Sequence, residues 1–136
     1  MNDIHIKGVH EAYFVPTVDF DSKTGICELA GESYLEETTK FYTPLFAWIK
    51  EYTETVKGKL LFNFRLSYFN TSSSKCIVDS LDMLKKYQKE GGEVEVNWYY
   101  DDSEEELEEV EDFILETGLE INIIPLSETE YRKKVR

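Results

Sequence analysis

Cysteine, histidine and proline are scarce in this chain: 136 residues carry two cysteines, two histidines and three prolines. Cys27 and Cys76 stand far apart. That excludes a disulfide framework and a thiolate zinc site, and both read as small buried apolar residues. His5 and His10 have no cysteine or HExxH-type companion with which to converge on a metal, so they read as structural. GxSxG, Walker-type phosphate loops, GxGxxG and CxxC are also missing, which leaves catalysis without a candidate nucleophile or cofactor cradle. No apolar run follows Met1 and none is long enough to cross a bilayer, so the expectation is a protein without signal peptide or membrane insertion that works in the cytoplasm.

Basic residues are few as well. Against 28 acidic side chains there are 15 basic ones, giving a formal net charge of −13. Such a field repels phosphate backbones and anionic membranes, which argues against nucleic acid and in favour of a protein partner or a basic surface. What the chain does have is a globular composition, 41% hydrophobic and 14% aromatic, enough for one domain over residues 1–136.

Periodicity gives the order of elements. Ala12 to Asp21 and Ile26 to Leu29 flank the turn Asp21-Ser22-Lys23-Thr24-Gly25 and read as a β-hairpin, with Pro16 at an edge or irregularity. Gly31-Glu32-Ser33-Tyr34 then leads into a helix over Glu36 to Val56, whose main part is expected from Thr43 because Pro44 suits a first turn. Phe41, Tyr42, Phe46 and Trp48, beside Leu45 and Ile49, read as the core side of that helix. Leu60, Phe62, Phe64, Leu66 and Tyr68 alternate as a strand, Ser72 to Glu90 is helical, and Val94, Val96, Trp98 and Tyr100 alternate again. A third helix spans Glu104 to Thr117, with Ser103 and Glu106 as a capping box, and Leu119, Ile121 and Ile123 make a last strand.

Strands joined through helices lie parallel. A strand buried on both faces would be continuously apolar, whereas these carry Asn63, Arg65, Ser67, Asn97 and Asn122 on the second face. The fold class is therefore α/β: a two-layer sandwich whose mixed sheet joins an N-terminal hairpin to parallel strands, with helices mainly on one face.

Asp101 to Asp112 holds nine carboxylates in twelve residues. Lacking a calcium-loop pattern, the stretch reads as a solvated helical face near a helix N-terminus. Asn70-Thr71-Ser72-Ser73-Ser74-Lys75 offers more, because it sits where a strand ends and a helix begins. One N-cap needs one residue, and this run of small polar side chains exceeds that requirement. A phosphate on such a turn adds about −1.5 to −2 of charge, which the helix start tolerates and a docked partner does not.

Here the sequence resembles the SiaC family of bacterial regulatory phosphoproteins. The resemblance is carried by Pro16-Thr17-Val18-Asp19-Phe20-Asp21 with Gly25, by Gly31-Glu32-Ser33-Tyr34 with Glu36, by Phe41-Tyr42-Thr43-Pro44-Leu45 with Trp48 and Tyr52, and by Tyr68-Phe69-Asn70-Thr71-Ser72-Ser73-Ser74-Lys75. Leu35 stands where the family pattern leads us to expect proline. The resemblance implies a STAS-like (anti-sigma-factor-antagonist-like) fold and a non-enzymatic partner-switching protein that needs no cofactor. It implies Thr71 as phosphoacceptor, with Asn70, Ser72, Ser73 and Lys75 as partner-binding residues. The implied partners are a histidine-kinase-like serine/threonine protein kinase, a metal-dependent serine/threonine phosphatase and a diguanylate cyclase, an enzyme of c-di-GMP signalling. Two other readings stay open: a ligand-binding or enzymatic cleft near Tyr34, Tyr42 and Asn70, and an oligomerisation module using the polar sheet face.

Overall fold

A computed structural model describes residues 1–100 and 103–126, so Asp101, Asp102 and the basic tail from Arg132 to Arg136 lie outside the described residues. The strands are β1 (Ile4–Ile6), β2 (Val9–His10), β3 (Phe14–Val15), β4 (Thr17–Phe20), β5 (Ile26–Ser33), β6 (Leu60–Phe69), β7 (Val94–Tyr100) and β8 (Asn122–Pro125). The helices are α1 (Thr38–Glu51), which continues as a π-helical turn over Tyr52–Val56, α2 (Thr71–Lys89) and α3 (Glu104–Thr117). Six strands form one sheet in the order β1-β4-β5-β6-β7-β8. β4 is antiparallel to both β1 and β5, and β5 through β8 run parallel. The expected mixed sheet is thus present.

One face of this sheet makes the core. Leu60, Phe62, Phe64 and Leu66 of β6 are buried together with Val96 and Trp98 of β7. Against them lie Tyr42, Leu45, Trp48 and Ile49 of α1, Ile77, Leu81 and Leu84 of α2, and Val110 and Phe113 of α3. Trp98 is completely enclosed, stacked on Phe64 at 4.8 Å between ring centroids. Each such side chain contributes about 1.5–3 kcal/mol through removal from water. The opposite face carries the polar partners of the alternation. Asn122 donates to Asn97 and Asn97 to Asn63 across three strands, and Arg65 lies 3.8 Å over the Tyr99 ring.

Four local expectations are revised. The single strand expected over Ala12 to Asp21 is cut by Pro16, which has no N–H to give a ladder: Phe14–Val15 pairs with β2 in a separate small sheet, and Thr17–Phe20 joins the main one. Strand β5 continues through Ser33 where a lead into a helix was expected, because a register shift between Gly31 and Glu32 keeps it on β6. Gly31 takes φ +97° there, a value that glycine alone adopts easily. Helix α1 starts at Thr38 and not near Thr43, so Pro44 stands inside it, on the exposed side. Finally, the last strand begins at Asn122, while Leu119 and Ile121 are buried in the connection before it.

Candidate functional site

The C-terminal end of β6 delivers the chain into α2 through Asn70. This residue is extended (φ −84°, ψ 178°), and its side-chain oxygen accepts a hydrogen bond from the Ser73 N–H at 3.0 Å. The Asn70 N–H donates to the Ser33 carbonyl on β5 at 3.2 Å, so the turn is held from both strands at once. Asparagine is among the best residues for this position because its oxygen satisfies an otherwise orphan helical donor.

The hydroxyls that follow have different fates. Ser73 is fully buried: its Oγ donates to the Ser33 carbonyl at 3.0 Å and lies 2.7 Å from Ser33 Oγ. Ser33 Oγ is in turn 2.8 Å from the Tyr42 hydroxyl of α1. Burial pushes the Tyr42 phenol up to about 12, so it is a neutral donor at physiological pH. Ser72 donates to Asn70 Oδ1 at 3.1 Å, which leaves its oxygen to accept from Thr38 Oγ1 at 2.8 Å. Ser74 is half-buried. Thr71 is exposed on the first residue of α2 and makes no side-chain hydrogen bond to any described residue. Lys75, one turn on, is exposed and free of ion pairs among the described residues.

The structure therefore gathers Asn70, Thr71, Ser72 and Lys75 at one accessible helix start and withdraws Ser73 into the core. It also removes Tyr42 from the cleft considered at the strand ends, since that ring is enclosed and its hydroxyl is committed. Beside the turn lies a shallow groove of about 710 Å³ between the start of α1 and Ser72, lined by Leu35, Glu36, Glu37, Thr38 and Lys40 among others. Thr38 was not singled out from sequence. Its only signal is a threonine near the start of α1, and its pairing with Ser72, 34 positions away, exists only in three dimensions.

Elsewhere, Ser103 caps α3, its Oγ accepting from the Glu106 N–H at 3.4 Å, which is the serine half of the expected capping box. Trp98 Nε1 donates to Glu106 at 3.0 Å. Burial and then Glu106 and Glu105 hold the Glu109 carboxyl above its ordinary range. Cys27 and Cys76 are buried free thiols, both raised first by desolvation. Among the described residues no helix is long and apolar enough to cross a membrane.

A mixed sheet with one helical layer, and a hydroxyl-rich capped turn opening its second helix, define a small α/β sandwich domain. The chain belongs to the SiaC family of regulatory phosphoproteins, whose family model matches residues 9–126. An uncharacterized protein of Pseudomonas aeruginosa (strain UCBPP-PA14) is 30% identical over 110 residues, covering 81% of this chain and 85% of that protein. Among solved structures, apo-SiaC from Pseudomonas aeruginosa superposes with a TM-score of 0.83 at 28% identity, covering 91% of this chain and 99% of the other. A chain from the crystal structure of the diguanylate cyclase SiaD in complex with its activator SiaC, from the same organism, gives a TM-score of 0.81 at 28% identity, with 90% and 99% covered.

Proposed function

We propose that this protein is a non-enzymatic partner switch that binds and regulates a diguanylate cyclase while Thr71 carries a free hydroxyl, and releases it when Thr71 is phosphorylated. One observation carries the choice of acceptor: within the turn, Thr71 is the hydroxyl that is both exposed and uncommitted, whereas Ser72 is bonded on two sides and Ser73 is buried. The structural likeness to a chain of the SiaD–SiaC complex supports the cyclase as output. A histidine-kinase-like serine/threonine kinase would write the mark and a metal-dependent phosphatase would erase it, both in the cytoplasm.

The physical logic is asymmetric. Inside the protein, a phosphate at the first residue of α2 meets free helical N–H groups and gains about 0.3–1 kcal/mol from the helix dipole. Lys75 stands one turn on. A partner surface covering the same spot must strip water from a dianion, a far larger cost. The fold survives and the complex does not.

The test compares wild type with Thr71→Ala and Thr71→Asp for binding to a cognate cyclase, alongside phosphopeptide mapping of protein from native cells. Thr71→Asp is expected to weaken binding by about tenfold or more, and Thr71→Ala to bind as wild type. Equal binding by both variants would sink the switch at this residue. Phosphate mapped to Ser72 would move the acceptor by one position.

A further inference from the structure

Exposed aromatic rings are concentrated at one corner of the molecule. Tyr13, Tyr34 and Tyr68 are 42%, 42% and 49% exposed. They form a row, with 6.3 Å between the centroids of Tyr13 and Tyr34 and again 6.3 Å between Tyr34 and Tyr68. Exposed apolar surface assembled in this way marks an interaction site more often than chance, and tyrosine suits it because the ring is apolar and the tip is wet.

The chain uses an otherwise weak element to hold this row. Strands β2 and β3 have two residues each, far too few to stand alone. They are pinned from outside. Phe14 and Tyr34 exchange two backbone hydrogen bonds of 2.9 Å, His10 stacks on Phe14 at 3.9 Å, and His10 Nε2 lies 3.2 Å from Glu32. The small hairpin thereby sets Tyr13 beside Tyr34.

The row also borders the switch. Tyr34 follows Ser33, whose carbonyl receives both the Asn70 N–H and the Ser73 hydroxyl, and Tyr68, near the end of β6, precedes Thr71 by three positions.

We propose that the Tyr13–Tyr34–Tyr68 row docks an amphipathic helix of the regulated partner, with apolar side chains over the rings and basic side chains toward Glu11 and Glu36. This deepens the function proposed above and rests on it for the partner's role. Three observations select the occupant. The backbone N–H and C=O of Tyr34 are already used by Phe14, so an added strand finds no free edge there. The 6.3 Å ring spacing matches the roughly 6 Å rise between residues i and i+4 of a helix. The rim carries exposed Glu11 and Glu36 beside the Glu37–Lys40 ion pair (3.4 Å), on a chain of net charge −13, which favours a cationic flank. An apolar face laid across Tyr68 would also reach the margin of Thr71, where a phosphate could not be desolvated.

The experiment places p-benzoylphenylalanine at Tyr34 or Tyr68 of the full chain in its native cells, with Leu115 of α3, 83% exposed, as control site. The captured peptide is sequenced, and the captured protein is then titrated against wild type, a Tyr34→Ala/Tyr68→Ala double variant and Thr71→Asp. We expect capture from the two tyrosine sites and not from position 115, into a helical segment with i, i+4 apolar spacing and a Lys/Arg excess. The double variant, still folded by circular dichroism, is expected to bind about tenfold or more weakly. Capture no greater than at position 115, capture of an acidic segment, or capture of a second copy of this chain overturns the proposal. If the double variant loses binding while Thr71→Asp does not, the docking row stands and the switch falls. If only Thr71→Asp loses it, the switch stands and the row falls.

Discussion

Ser73 Oγ lies 2.7 Å from Ser33 Oγ, across a sequence separation of 40 residues and out of reach of solvent. Each hydroxyl in this group has one proton, and the chain of bonds ends on a carbonyl, which fixes its direction. Tyr42 donates to Ser33, Ser33 donates to Ser73, and Ser73 donates to the Ser33 carbonyl. Every donor is used, and no buried side-chain polar atom among the described residues lacks a partner.

Ser73→Ala breaks that chain in the middle and leaves the Ser33 proton without its acceptor. A loss of about 1–3 kcal/mol is expected, visible as a drop of several degrees in thermal midpoint. The same burial makes Ser73 a poor kinase substrate in the folded protein. Phosphopeptide mapping of a Thr71→Ala variant should therefore find no phosphate on Ser73, and finding it would mean that the first turn of α2 opens readily.

The cap is separable from the switch. Asn70→Ala removes the acceptor for both Ser73 N–H and Ser72 Oγ–H, and should cost about 1 kcal/mol. Asn70→Asp keeps an oxygen in place and adds a charge favourable to a helix start, so its stability at neutral pH should equal or exceed wild type. Urea denaturation checks the order, with midpoints shifting at constant slope. An alanine variant as stable as wild type would mean that water replaces the cap at no cost.

Tyr42 gives a pH signature. In the unfolded chain a tyrosine ionises near pH 10, whereas in the folded protein burial raises this phenol to about 12. Between those values the unfolded state releases a proton that the folded state keeps, so stability falls as pH rises. The interval amounts to roughly 2–3 kcal/mol, all of it retained below pH 10. Tyr42→Phe should start lower, having lost the bond to Ser33, yet decline less steeply above pH 10. Parallel slopes for the two proteins would show that Tyr42 does not carry this dependence.

How much of this could be read in advance follows from the range over which each signal acts. The alternation of Leu60, Phe62, Phe64 and Leu66 is local and has period two, so β6 and its buried face were legible. Asn70 before α2 and Ser103 with Glu106 before α3 were legible because capping depends on residue type at short spacing. Strands β1 and β2 were not, since two or three residues give no periodicity and their pairing partners lie beyond Val9. Helix α1 was started too late because Pro44 sits on its exposed side, where the missing hydrogen bond is tolerated. Composition presented the run from Thr71 to Ser74 as equivalent hydroxyls. What separates them is Ser33, Tyr42 and Thr38, residues more than 28 positions away that only the folded chain brings close.

The polar sheet face is likewise more committed than alternation suggested. Asn97 is 8% exposed at the centre of an amide ladder: it accepts from Asn122 Nδ2 at 3.0 Å and donates to Asn63 Oδ1 at 3.0 Å and to Glu95 Oε2 at 3.2 Å. Asn63, Asn97 and Asn122 are paired in register across β6, β7 and β8, so the ladder ties together the parallel strands that carry α2 and α3. Asn97→Ala should cost about 1–3 kcal/mol by stranding its neighbours. Asn97→Asp should cost more at pH 7, because the new carboxylate oxygen would face two acceptors, Asn63 Oδ1 and Glu95. That environment raises the folded-state value of the introduced acid above its unfolded one. The penalty is therefore full at neutral pH and shrinks as pH falls and the carboxyl regains a proton to donate. Urea midpoints for wild type and Asn97→Asp should converge between pH 7 and pH 5. If Asn97→Asp matches wild type at pH 7, the ladder is a solvent-exchanged surface feature and contributes little to holding the parallel strands in register.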